Sequence, residues 1–205
     1  WFTKKSDEIA YVTYARDTIL SFLYLKIEDT AENYSDITPV FKPKKRLKVG
    51  TLKVVSNGLR LGERFLKIIF DNALINKVDE IYVTIFDKRD DEKRLIVLFE
   101  EWGFKLDGKK QSSSGQELVY VRSFQPAYDS KNPKYTYPYL SRRADVFLVP
   151  IYPEYHTELL PDSILRTESP EDFVENEPHR NAISKVYISR SLDRGLDVGD
   201  IIIFW

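Results

Sequence analysis

The sequence predicts an α+β protein built in two parts, a sheet with flanking helices followed by a small, incomplete β-barrel with helical insertions. Three observations predict this. Runs rich in Ile, Val, Leu, Tyr and Phe recur along residues 9 to 124 and are interrupted by two stretches whose apolar residues stand at helical spacing. At Gln125 the pattern stops, and Pro126, Pro133 and Pro138 interleave with Tyr128, Tyr135, Tyr137 and Tyr139, which suits an extended linker. Beyond it, short apolar runs return between polar loops, as in small barrels.

Taken in order, Ile9 to Ala15 and Ile19 to Ile27 are strands joined by the short polar connection Arg16-Asp17-Thr18, a hairpin. Glu28 to Pro43 is a polar loop ending in Lys42, Lys44, Lys45, Arg46 and Lys48, a basic run without an acid. Leu47 to Val55 is a third strand, stopped by Ser56-Asn57-Gly58. Leu61, Phe65, Ile68, Ile69 and Asn72 or Ala73 follow at helical spacing up to about Asn76. Glu80 to Phe86 is a strand, and Leu95, Leu98, Phe99 and Trp102 mark a second helix that Gly103 ends. Phe104 to Leu106 and Leu118 to Phe124 are short strands around a polar loop, Asp107 to Gln116, giving the order β-β-β-α-β-α-β-β. In the second part Val146 to Ile151, Val186 to Ser189 and Ile201 to Trp205 are strands, with a short helix between Pro153 and Glu177. The expected division is 1–124, a linker over 125–140, and 141–205.

Composition narrows the function. The 205 residues are 42% hydrophobic and 31% charged, enough apolar material for a sizeable core. Lys+Arg 31 against Asp+Glu 32 gives a net charge of -1, so only local patches could attract nucleic acid or an anionic membrane. With no cysteine and only His156 and His179, disulfides, thiolate sites, a cysteine nucleophile and a histidine-rich metal site are excluded, and no metal is expected. No apolar run approaches the ~20 residues of a membrane-spanning helix and no signal peptide is visible, which predicts a soluble cytoplasmic chain. The absence of methionine, with Trp1 opening on strand-like sequence and Trp205 closing inside an apolar run, predicts a fragment of a longer protein.

The most informative segment is Leu52-Lys53-Val54-Val55-Ser56-Asn57-Gly58-Leu59-Arg60-Leu61-Gly62-Glu63. A strand that turns through glycines into a helix gathers unpaired main-chain N–H groups and the positive end of a helix dipole, a place for a phosphate or diphosphate. Gly58 and Gly62 permit close approach, and Arg60 and Arg64 could assist. A simple turn beneath a packed helix is the equally weighted alternative. The order of elements and this turn resemble the GNAT acetyltransferase family, whose motif reads roughly Gln/Arg-x-x-Gly-x-Gly/Ala; Asn57 takes the first place, Arg60 a glycine position, and Gly62 matches the last. Leu98-Phe99-Glu100-Glu101-Trp102-Gly103-Phe104 is similar to the family's Leu-Tyr-Glu-x-x-Gly-Phe, so the resemblance spans about residues 9 to 124.

That resemblance implies a mixed, mostly antiparallel sheet, with acetyl-coenzyme A as cofactor and direct acetyl transfer to an amine. It implies that Leu52, Val54 and Val55 lie along the pantetheine arm, and that the amides of Asn57, Gly58, Leu59, Arg60, Leu61, Gly62 and Glu63 receive the diphosphate. The family's proton-donating tyrosine corresponds to Phe99, which cannot donate, and Glu92 stands near the place of its helix asparagine. Tyr82 is the substitute donor; Glu63, Glu100 and Glu101 are candidate bases, as acids that more often merely solubilise a helix face. The family's first strand and two helices would precede Trp1.

Asp193 to Phe204, with Gly199-Asp200 before an apolar strand, resembles the strand entry of PUA-like domains, including the ASCH branch, which implies RNA binding. Arg142 and Arg143 are the candidate phosphate contacts, with Arg180, Lys185, Arg190 and Arg194 behind them, while the acidic run Glu168 to Glu177 opposes the idea. The tyrosines of the linker are more often packing than base platforms, His156 is more often structural than a ligand, and the Lys42 to Lys48 run more often solvated than bound to a 3′-phosphate or RNA. Bacterial proteins that pair such domains also carry an N-terminal PIN domain, and some are toxin-like. The expected function is therefore acetyl-coenzyme A-dependent transfer to an amine of an RNA- or ribosome-associated acceptor; the alternative is a non-catalytic protein that binds RNA or a nucleotide.

Overall fold

Alternating apolar residues form strands over Ala10–Ala15 (β1), Thr18–Glu28 (β2), Arg46–Val54 (β4) and Glu80–Ile85 (β5) in a computed structural model of the chain. It describes residues 8–15, 17–54, 61–125, 127–129, 131–160, 182–188 and 195–205. The helical spacings become Leu61–Asn76 (α1) and Asp90–Glu101 (α2). With β3 (Ile37–Thr38), β6 (Lys105–Ser112) and β7 (Gly115–Ser123) the strands form a seven-stranded sheet of order β1-β2-β4-β5-β7-β6-β3. Within this sheet only β4 and β5 run parallel, because α1 carries the chain back between them. The sheet is thus mixed and mostly antiparallel, as expected.

Period-two alternation divides the sheet into two faces. Ile81, Val83 and Ile85 of β5 meet Phe65, Ile69, Phe70 and Ala73 of α1 and Phe99 of α2 in the main core. Ile69 and Phe70 are fully buried, and each such side chain contributes about 1.5–3 kcal/mol by leaving water. Tyr82 points the other way, into a smaller cluster with Tyr34, Ile37 and Val119. The first turn of α2 is closed by Glu92, which accepts from the main-chain N–H of Lys88 (3.0 Å) and Arg89 (2.9 Å).

Two expectations need correction. Asp107 to Gln116 is not a loop: β6 and β7 form a tight hairpin whose ladder runs to Ser112 and Gly115. Its polar residues escape the apolar pattern because much of β6 faces solvent. Residues 186–188 form no strand; Val186 and Ile188 are exposed and without a ladder partner. In the second part, the described residues hold Val146–Val149 (β8), Pro153–Leu159 (α3) and Ile201–Phe204 (β9), with β8 and β9 paired in parallel. Among the described residues these two strands form no closed barrel.

The proline- and tyrosine-rich stretch lies on the core. Tyr137 packs 5.6 Å from both Phe70 and Trp102, and Tyr139 packs 5.7 Å from Phe124, measured between ring centroids. Buried Arg122 stacks 4.2 Å over Phe70 and donates from Nη2 to the carbonyls of Tyr135 (3.1 Å) and Tyr137.

Candidate cofactor cleft

The site begins with a strand pair that separates. β4 and β5 are in register only from Arg46 opposite Glu80 to Val49 opposite Val83. Beyond that point β4 continues to Val54, held on its other side by Ser21 to Tyr24 of β2. There the β2–β4 register skips one residue: Leu25 faces Val49 and Tyr24 faces Thr51, leaving Gly50 as a β-bulge. A bulge adds local twist and bends the strand, so it accounts for β4 leaving β5 here. Gly50 also supplies space, since a Cβ at this position would lie 2.7 Å from Cδ1 of Tyr24.

A cleft of about 810 Å³ opens where the strands part. One wall is Gly50 to Val54; the other is Thr84 to Phe86 with the α2 face of Asp91, Arg94, Leu95 and Leu98, spaced for one side of a helix. Leu61, Gly62 and Glu63 of α1 close one end. Gly62 lets α1 approach α2, because its Cβ would stand 2.7 Å from Leu98 Cδ2. Along Gly50 to Val54, no main-chain partner faces the cleft among the described residues.

The cleft's carboxylates are engaged. Glu63 Oε1 accepts from the main-chain N–H of Ser184 at 2.7 Å. Arg89 pairs with Asp91 (3.2 Å) and Glu92 (3.0 Å). Thr51 donates to the Gly50 carbonyl, 2.8 Å away.

Of the residues expected to hold the cofactor, Leu52, Val54, Leu61, Gly62 and Glu63 line this cleft together. Val55, Asn57, Gly58, Leu59 and Arg60 lie outside the described residues. The other candidates are elsewhere. Glu100 is exposed on α2 and accepts from the Tyr120 hydroxyl at 3.1 Å. Tyr82 is 1% exposed, its hydroxyl donating to Glu28 at 2.6 Å. Burial and this bond push the Tyr82 hydroxyl well above its ordinary range. Glu28 also accepts from Tyr34 (3.1 Å) and pairs with Lys26 (3.2 Å) and Lys48 (3.5 Å). Burial alone would raise the Glu28 pKa; the Tyr82 bond and the two lysines outweigh it and hold the carboxyl below its usual value. Phe99 is fully buried, 4.9 Å from Phe104 between centroids.

The basic run is largely absorbed by the fold. Lys44 and Arg46 pair with Glu80, Lys45 Nζ donates to the Asn76 carbonyl (2.6 Å), and Lys48 pairs with Glu28. Arg142 and Arg143 are exposed in the turn before β8. Among the described residues no cluster of acids and histidines could hold a metal, and no helix is long and apolar enough to cross a membrane. Sequence reading missed the Gly50 bulge and the α2 wall. A lone glycine inside the apolar run Leu47 to Val55 was the available signal for the first.

Fold and site together define a mixed α+β domain with a cofactor-sized cleft at its parted parallel strands. No family model and no curated protein sequence matches the chain. Solved structures are similar over part of it. Naa50 of Arabidopsis thaliana, in complex with a bisubstrate analogue CoA-Ac-MVNAL, is 19% identical over 57% of this chain and 74% of that one, with a TM-score of 0.41. A GNAT-family acetyltransferase of Streptococcus agalactiae is 17% identical over 56% and 64%, with a TM-score of 0.42. FeeM, an N-acyl amino acid synthase from uncultured soil microbes, is 9% identical over 60% and 77%, also with a TM-score of 0.42.

Proposed function

We propose that this chain binds acetyl-coenzyme A and transfers the acetyl group to an amine, as a GNAT-type N-acetyltransferase. One observation carries the reading: β4 bulges at Gly50 and leaves β5 at Val49, so the main chain of Gly50 to Val54 borders a cleft of about 810 Å³ without a strand partner on that side. An extended ligand arm bearing amides fits such an edge as an added strand, with main-chain hydrogen bonds giving affinity. The volume lies within the range of cofactor pockets.

Leu52 and Val54 would hold the arm through their main chain. Leu61, Gly62 and Glu63, at the start of α1, offer N–H groups and the helix dipole to a diphosphate, together with Asn57, Gly58, Leu59 and Arg60 before them. When bound, the cofactor supplies an acetyl group activated as a thioester. The bulge leaves Gly50 without a cross-strand partner, and its main-chain N–H is the donor we assign to an oxygen that gains charge during transfer. Glu63 is the one catalytic candidate on the cleft wall. Its bond to Ser184 makes it a positioning group at the mouth in the first instance.

The buried Phe99 favours a second reading, in which the cleft binds the cofactor without transfer. Calorimetric titration with acetyl-coenzyme A, then a thiol-release assay against peptides with free amino termini, lysine peptides and amine-bearing RNA, separates the two. Binding with release supports transfer and names the acceptor class, including the RNA-linked one. Binding without release on any amine supports the second reading. Absence of binding ends both.

A further inference from the structure

The Gly50 N–H assigned to the acyl oxygen belongs to a residue that neither neighbouring strand pairs. Glycine has no side chain and reaches more backbone conformations than any other residue. The β5 ladder ends one residue earlier, at Val49 opposite Val83, and the β2 register steps over Gly50 from Val49 to Thr51. Packing must therefore hold what pairing does not. The Thr51 hydroxyl donates to the Gly50 carbonyl at 2.8 Å, which fixes one side. On the other, beyond its chain neighbours, the three atoms nearest to where a Gly50 Cβ would stand all belong to Tyr24: Cδ1 at 2.7 Å, Cε1 at 3.0 Å and the main-chain oxygen at 3.7 Å. The ring fills the side-chain space that Gly50 leaves empty. Tyr24 itself is fixed, 4% exposed on β2, with Ala10 of β1 and Thr51 of β4 as ladder partners on either side.

We infer that Tyr24 is a positioning residue: its ring braces Gly50 so that the main-chain N–H stays aimed at the acyl oxygen. A donor directed at a developing charge acts only when it is held to within roughly 0.5 Å and 10–20°. A glycine in a bulge meets that limit through a rigid neighbour, and a buried aromatic ring on an inner strand is one. The ring does the bracing; the hydroxyl has no part in it. This assignment rests on the proposed coenzyme A reading and on the donor role given to Gly50.

Acetyl-coenzyme A isotope-labelled at the thioester carbonyl carbon, bound to the whole chain, reports the contact directly: a donor on the oxygen polarises the carbonyl and moves its NMR signal downfield of the free carrier. Tyr24→Phe should keep the wild-type signal. Tyr24→Ala and Tyr24→Leu should move it back toward the free position, while coenzyme A, which has no acyl oxygen, binds within about twofold of wild type. Where thiol is released, kcat should fall about tenfold to a hundredfold in both, with the KM for acetyl-coenzyme A little changed. Tyr24→Leu keeps more of the apolar volume and carries the test if Tyr24→Ala does not fold. A carbonyl signal that stays at the wild-type position in every folded Ala or Leu variant overturns the brace alone, and so does loss of that signal in Tyr24→Phe. A wild-type signal at the free position overturns the Gly50 donor together with the brace. Wild-type protein that binds no carrier overturns the coenzyme A reading as a whole.

Discussion

Replacing Gly50 by alanine tests why the strand parts where it does. The glycine does not adopt a positive φ, so an alanine backbone is acceptable there. The obstacle is the Tyr24 ring: the new Cβ would sit 2.7 Å from Cδ1 and 3.0 Å from Cε1. The ring, only 4% exposed, would have to retreat by roughly 0.7 Å to reach ordinary contact. Overpacking of this kind costs about 1–3 kcal/mol. In a Tyr24→Ala background the clash is gone, and Gly50→Ala should be neutral or stabilise by about 0.4–1 kcal/mol through the unfolded chain. The double-mutant cycle should therefore show a coupling of about 1–4 kcal/mol. Urea unfolding midpoints of the four proteins measure it, and titration with coenzyme A beside them shows whether a displaced Tyr24 narrows the cleft. If Gly50→Ala costs the same with and without the Tyr24 ring, the packing account of this glycine is wrong.

Other consequences are open to measurement. Glu28→Gln removes the charge that gathers Tyr82, Tyr34, Lys26 and Lys48 and should destabilise by about 3 kcal/mol in urea unfolding. Because the folded Glu28 pKa is lowered, its contribution is present above the unfolded value of about 4.3 and fades as pH falls through the folded value. Wild-type stability should drop over that acidic range, and the variant should show a shallower drop. Phe99→Tyr puts a hydroxyl into a fully buried site and should cost about 1–3 kcal/mol while adding no thiol release, read by thermal unfolding and the transfer assay. Arg122→Ala leaves the Tyr135 and Tyr137 carbonyls undonated and opens a void beside Phe70; a loss of about 3 kcal/mol and faster amide exchange over 133–139 are expected.

Much of the sheet was legible because its core-facing residues alternate. Leu23, Leu47, Val49, Ile81 and Val83 announce strands, and Leu61, Phe65, Ile69 and Ala73 announce a helix. The β6–β7 hairpin was hidden by Lys105, Asp107, Lys109 and Gln111, exposed polar residues that obey no apolar period. At the cleft, Leu52, Val54, Leu61, Gly62 and Glu63 belong to the strand-turn-helix segment that local sequence marks, and the resemblance is what pointed to Leu52 and Val54 within it. The opposite wall could not be found that way. Thr84, Arg94 and Leu98 reach the cleft only because β5 pairs beside β4 and α2 folds back over it, a tertiary fact with no local signature. The same holds for the basic run, whose charges met Glu80 and Glu28 across strands rather than a ligand. Tyr82 looked like a free donor in one dimension and is a fixed partner of Glu28 in three.

Glu28, Arg46, Lys48, Glu80 and Tyr82 come from three neighbouring strands and interlock just below the fork between β4 and β5. Unzipping the remaining pairs from Val49 down to Arg46 would first take Tyr82 and Lys48 from the buried Glu28 carboxylate and at last Glu80 from the buried Arg46 guanidinium, so the fork cannot migrate cheaply toward Arg46. The depth of the crevice is therefore set before any guest arrives. Entry should be governed by diffusion and loss of water, and loaded and empty forms should share one and the same ladder.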